Sequence, residues 1–328
     1  MSAHGGNRAV VAALLANLGI AITKFAAWLV TGATSMLAEA IHSVADSGNQ
    51  GLLLLGAKRS QREATEEHPF GFGRERYIYS FIVAIVLFSI GGLFALYEAY
   101  HKYHEVVEGK PDELLESRWW WLPLVVLSAA IVMESFSFRT AISESNKVRG
   151  DKSWVQFIRG SKAPELPVVL LEDLAALLGL VFALAGVGLT LLTENAYFDV
   201  MGAAAIGTLL VVVAITLAVE TKSLLIGESA SKAAIERMRT ALEETPGVRR
   251  VIHFKTLHLG PEELLVAAKI GVDHDNTADS VAHTIDEAER RVRAVEPVAQ
   301  AIYLEPDIYR PDYVPEPRPA PPSSPGAH

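Results

Sequence analysis

Residues 35–57 read SMLAEAIHSVADSGNQGLLLLGA, an apolar stretch long enough to cross a bilayer that carries His42 and Asp46 near its middle. On a helix these two side chains share one face, with Cβ atoms roughly 5 to 6 Å apart. A carboxylate at the centre of a bilayer costs about 2.5 to 3.5 kcal/mol or more, so such residues face the interior of a bundle and mark an ion or proton path. An imidazole beside a carboxylate is also a donor set that a divalent transition metal takes. The competing reading is a buried polar pair that only ties helices together. The stretch predicts an intramembrane metal site, and the other elements are expected to complete it.

Composition agrees with a membrane chain. Of 328 residues, 50% are hydrophobic and 20% charged, and the apolar excess falls in separated blocks. There is no cysteine, so thiolate sites and disulfides are excluded and any metal must be held by nitrogen and oxygen. A net charge of −9 argues against nucleic acid as a partner. The opening MSAHGGNR shows no small-residue cleavage site, so no signal or transit peptide is expected and a bacterial inner membrane is the simpler location.

The apolar blocks predict spans at about 8–32, 35–57, 77–100, 120–138, 166–192 and 199–219. Lys58, Arg59, Arg62, Arg74 and Arg76 collect between spans two and three, and Lys147, Arg149, Lys152, Arg159 and Lys162 between four and five. The loop between three and four is acidic and ends in Trp119, Trp120 and Trp121, an interfacial cluster. By the positive-inside rule both termini are cytoplasmic. Glu98, Glu134 and Asp199 sit near span ends, where solvation or pairing is expected. Asn17 and Lys24 in the first span are expected to make interhelical hydrogen bonds or to snorkel.

The pattern changes near residue 227. A helical stretch ends at Pro246-Gly247, two alternating stretches follow (VRRVIHFKTLHLG and ELLVAAKIGVD), then an amphipathic helix starting at Thr277 or Asp279, then VAQAIYLEP. The α-β-β-α-β order predicts a small cytoplasmic α+β, ferredoxin-like domain over 227–310, after a six-span domain over 1–226. The proline-rich segment 311–328 should be extended and disordered.

Taken together, AEAIHSVADSGNQ (38–50), HPFGFGRERY (68–77), VVLLEDLAALLG (168–179) and KSLLIGESA (222–230) resemble the cation diffusion facilitator family across nearly all of residues 8–310. The resemblance implies a homodimeric secondary transporter, not an enzyme, that exports Zn2+ or a similar divalent ion from the cytoplasm in exchange for protons. It implies no permanently bound cofactor. The metal and the proton are substrates, with Mn2+, Fe2+ and Co2+ as rival ions; a passive channel or a membrane metal sensor is the alternative.

The family places two metal ligands in span two and two in span five. His42, Asp46 and Asp173 match, whereas the fourth position, four residues before Asp173, is Val169, which cannot bind metal. Glu172 and Asn49 are candidate supporting groups, although Glu172 lies about 100° around the helix from Asp173. Arg74 matches the basic residue of a dimer interlock, with Glu228 as its expected acidic partner. A second metal site in the loop is not expected, since Phe72 replaces a histidine that would pair with His68. Of His253, His258, His274 and His283, only His283 falls on a family ligand position in the terminal domain, so a two-metal site there is not expected. Imidazole and carboxylates bind metal only after losing their protons, so metal and protons compete for the same groups. An ordinary imidazole changes state near pH 6.5, which suits His42 to that exchange.

Overall fold

The computed structural model describes residues 4–31, 34–116 and 118–311. The described chain divides into a helical unit up to Glu228, joined by His258–Glu263, and a second unit formed by Ser229–Leu257 and the residues from Leu264 onward.

The helical unit comprises α1 (His4–Thr31), α2 (Thr34–Arg59), α3 (Glu75–Val86), a π-helical segment (Leu87–Leu93), α4 (Phe94–Val107), the short α5 (Glu113–Glu116), α6 (Leu122–Arg149), α7 (Trp154–Gly160), α8 (Glu165–Thr193) and α9 (Tyr197–Ile226). Among the described residues, Glu75–Val107, Leu122–Arg149, Glu165–Thr193 and Tyr197–Ile226 are long and apolar enough to cross a membrane. Their outward faces are apolar: Phe136 and Met201 are each 65% exposed. Side chains of this kind belong against lipid in a chain that lives in a bilayer. Helices α1 and α2 have spanning length, 28 and 26 residues, but bury Asn17, Lys24, Ser43, Asp46, Asn49 and Gln50. On both helices these polar groups face protein.

Helix α1 packs along α2 and α6, α8 along α6 and α9, and α3 along α2 and α9. The apolar centre is built from Leu53, Val83, Leu87, Val169, Leu210 and Leu217. This packing sets α6 against α8, and side-chain bonds from α2 join them at the candidate site.

The third apolar block is longer than its expected 77–100 and runs to Val107 through the π-helical segment. The fourth also passes its expected end at 138, because Ala141, Glu144 and Ser145 continue the buried face of α6 to Arg149. The polar connection expected at 140–164 contains α7, whose start is fixed by reciprocal bonds between Ser153 and Gln156.

The second unit contains α10 (Lys232–Glu243), β1 (Arg250–Gly260) up to Leu257, β2 (Glu263–Gly271) from Leu264, α11 (Ala278–Val295) and β3 (Ala299–Asp307), in the α-β-β-α-β order read from the sequence. The sheet order is β1-β2-β3, with β2 and β3 parallel and Val266 opposite Ile302. Met238, Leu242, Val266, Ala288 and Val292 fill the space between helices and sheet. Helix α11 is capped by Thr277, whose hydroxyl accepts from the Ser280 amide. The proline-rich segment lies outside the described residues from 312 onward.

Helices α8 and α9 approach closely where Gly186 and Gly202 face each other. A Cβ on Gly202 would lie 3.0 Å from the Phe182 carbonyl oxygen, and one on Gly186 would lie 3.0 Å from that of Phe198. Small residues at a membrane crossing let backbones approach in this way. Gly202→Val should therefore destabilise the protein by about 1 to 3 kcal/mol, seen as a lower thermal unfolding temperature in detergent. An unchanged temperature would mean that the two helices are not held at this spacing.

Candidate metal centre

Helix α2 carries Asp46, Asn49 and Gln50 on its protein-facing side, and α8 presents Glu172 and Asp173 from a segment buried on nearly every side. Exposure falls to 8% at Asp46, 3% at Glu172 and 1% at Asp173. His42 lies on α2 one turn before Asp46, and its side chain is outside the described residues.

The two neighbouring acids of α8 face different helices. Glu172 accepts from Asn49 Nδ2 at 2.8 Å and from Gln50 Nε2 at 3.1 Å, so both of its oxygens are held by amides of α2. Gln50 Oε1 in turn accepts from Asn17 Nδ2 of α1 at 3.3 Å. Asp173 turns to α6, where the Ser137 hydroxyl donates to its Oδ2 at 2.8 Å. The roughly 100° step between consecutive helical residues produces this division. Asp173 Oδ1 and Asn49 Oδ1 are buried without a hydrogen-bond donor.

Glu134 corrects the expectation of solvation near a span end. It lies inside α6, is 2% exposed, and feels the charges of Asp173, Asp46 and Lys24. Glu172 likewise feels Asp46, Asp173 and Glu134, so four carboxylates from α2, α6 and α8 occupy one electrostatic neighbourhood. The signal available in the sequence was the stripe Leu127, Ala130, Glu134, Ser137, Ala141, which recurs at helical spacing and is buried throughout. Among the described residues no three such side chains converge to metal-binding distance, and His42 is not among them.

The other candidates separate by environment. Lys24 is 3% exposed and donates to Ser43 Oγ at 2.9 Å, so it bonds between helices instead of snorkelling. Glu98 is exposed and Asp199 is paired with Lys102. Glu228 is paired with Lys162 of its own chain. Burial pushes the Glu228 carboxyl up, but hydrogen bonds from Lys162 and Ser223 outweigh it and leave the group below its ordinary range. Arg74 stands at the start of α3, and the residue that pairs internally is Arg76, with Glu165 of α8. His68 is exposed and meets the Phe72 ring edge-on at 4.8 Å. In the second unit His283 is exposed, 3.9 Å from the Asp279 carboxylate on the same helix.

Residues 10–226 match the cation efflux transmembrane domain. The chain is 34% identical over 275 residues to the proton-coupled zinc antiporter SLC30A9, mitochondrial, of Xenopus laevis, covering 83% of this chain and 48% of that protein. The human protein of the same name is 33% identical over 271 residues, covering 82% and 46%. The chain thus spans about half the length of these relatives. The magnetosome protein MamM of Paramagnetospirillum magneticum is 24% identical over 281 residues, with 84% of this chain and 79% of that one covered. A solved MamM C-terminal domain, 24% identical, covers 24% of this chain and 98% of its own, with a TM-score of 0.23. With a transmembrane domain matched along its whole helical unit, and relatives a third identical over most of its length, the chain belongs to the cation efflux, or cation diffusion facilitator, family of membrane transporters.

Proposed function

We propose that this protein exchanges a divalent transition-metal cation, Zn2+ first among them, for protons, and exports the metal from the cytoplasm by alternating access at His42, Asp46 and Asp173. The observation that carries this reading is the burial of acids from α2, α6 and α8 together inside an apolar bundle. A carboxylate removed from water needs a proton or a cation beside it. If both can serve, each displaces the other, and a pH difference across the membrane becomes a driving force for metal movement. The site loads metal where it opens to the more alkaline side and releases it where it opens to the more acidic one. Relatives named as proton-coupled zinc antiporters support both the ion and the coupling.

In this reading α1, α2, the α3–α4 segment, α6, α8 and α9 are six spans, with both termini on the cytoplasmic side as the basic loops require. Two copies pair, with the terminal ferredoxin-like domain at the dimer contact and Arg74 and Glu228 as the interlock. Glu228 would then exchange Lys162 for, or share it with, the arginine of the other copy. Glu172 acts as a supporting group: with both oxygens on amides, it orients α8 against α2, while Asp173 keeps one oxygen clear of donors.

Two experiments follow from this arrangement. In proteoliposomes with an imposed pH gradient, run over Zn2+, Mn2+, Fe2+ and Co2+, wild-type protein should move Zn2+ against its own concentration gradient only while the pH gradient stands. Asp46→Ala and Asp173→Ala should each lower that flux by at least about tenfold. Zn2+ flux with no accompanying proton movement, or flux that survives both substitutions, would overturn the proposal. Gln50→Ala strips one amide from Glu172 and the acceptor from Asn17. It should cost about 1 to 2 kcal/mol in thermal unfolding in detergent and reduce transport less than Asp46→Ala does.

A further inference from the structure

The buried stripe of α6 points at the same neighbourhood as Asp46 and Asp173. Leu127, Ala130, Glu134, Ser137 and Ala141 recur every three or four residues, and the Ser137 bond to Asp173 fixes where this stripe meets α8. Glu134 is one turn from Ser137 on the same stripe. The residue is 2% exposed, and among the described residues no hydrogen bond or ion pair ends on its carboxylate. Glu172, at similar burial, has two amide donors. The contrast is between an acid held by its neighbours and an acid left to something else.

A separate observation concerns Asn49, which is not an acid. Its side chain is 1% exposed and donates to Glu172, yet its own Oδ1 has no donor. With Asp173 Oδ1, this leaves buried acceptor oxygens on α2 and α8, and Glu134 of α6 is close enough to feel the charges of Asp173 and Asp46. Acceptors that face one another in a low-dielectric interior repel, and a cation among them turns that repulsion into coordination. On α8 the position one turn before Asp173 offers nothing to a metal: Val169 is fully buried and packs with Leu53, Val83 and Leu170.

We propose that Glu134 is a ligand of the transported cation, donating a carboxylate oxygen alongside Asp46 and Asp173, and that it determines which ion the site prefers. The inference rests on the metal-exchange reading above. A site with one imidazole and three carboxylates is oxygen-rich, so it takes Mn2+ and Co2+ more readily than a site with two imidazoles would. Glu134 then makes the site more tolerant of hard ions, while His42 keeps Zn2+ competitive.

The test is thermal unfolding of the full chain in detergent at one fixed pH, with Zn2+ alone or Mn2+ alone as the probe. Glu134→Gln keeps the shape and removes the charge, so without metal it should unfold at or above the wild-type temperature. Its metal-induced stabilisation should correspond to affinity at least about tenfold weaker, with Mn2+ losing more than Zn2+. A purely structural glutamate would lower the metal-free temperature and leave the metal-induced increment intact; that result would overturn the proposal. Asp173→Asn is the control for the underlying reading. If it loses the increment while Glu134→Gln keeps it, Glu134 is not a ligand; if both keep it, the site itself is wrong. Should Glu134→Gln fail to fold, Glu134→Asp decides: a changed ratio of Zn2+ to Mn2+ affinity supports the assignment, and a wild-type ratio refutes it.

Discussion

The constraint on which this structure depends is that a charge buried between membrane helices has to be answered inside the chain. Water is excluded and lipid offers no donor, so each polar atom in the bundle dictates what stands opposite it. Glu172 shows the rule satisfied. Its two oxygens take the two amides of Asn49 and Gln50, and Gln50 passes its remaining acceptor to Asn17. One acid of α8 thereby fixes the relation of three helices. Asp173, the next residue, cannot join that network because the helix carries it roughly a quarter-turn away. It meets α6 instead, and the adjacency of two acids lets a single helix hold partners on two sides.

The same accounting separates supporting groups from groups open to a ligand. A carboxylate with both oxygens bonded by amides would have to share or surrender those bonds to bind a metal. Asp173 has an oxygen without a donor, and Glu134 has no bonding partner among the described residues. Lys24 adds a positive charge near Glu134, and its bond to Ser43 anchors it between α1 and α2. Burial thus sets Asp46, Glu134 and Asp173 within reach of one another's charge, with Lys24 as a neighbouring cation.

How much of this was legible beforehand depended on whether the information was local. The spacing of His42 and Asp46, the apolar blocks, and the order of elements after residue 230 are properties of short windows, and the sequence conveys them directly. Thr277 as the start of α11 follows from capping chemistry. The expectation for Glu134 fails because hydropathy locates a residue along a helix but not around it. An apolar block ending near 138 puts residue 134 close to the membrane surface. Helix α6 continues to Arg149, which moves Glu134 to the interior of the helix. Reading the stripe of small residues on its face would have placed it against α8. The partners of Glu172 were illegible for another reason: they sit more than a hundred residues earlier in the chain, and no local pattern connects them.

The π-helical turn at Leu87–Leu93 shows what such a bundle concedes to packing. A π turn widens the helix and leaves part of the backbone ladder less well formed, which costs stability unless neighbours hold the segment. Here α9 packs along it, and Gly92 brings the chain so close that a Cβ would lie 2.7 Å from the Val211 side chain. The α3–α4 segment reaches the apolar centre through Val83 and Leu87, and α2 and α8 contribute Leu53 and Val169 to that same cluster. A shift of register at the π turn would have to repack residues that also support the helices bearing Asp46 and Asp173. Apolar packing and the buried acids are thus mechanically joined: the helices that carry the charges cannot change their spacing without disturbing the core that the α3–α4 segment completes.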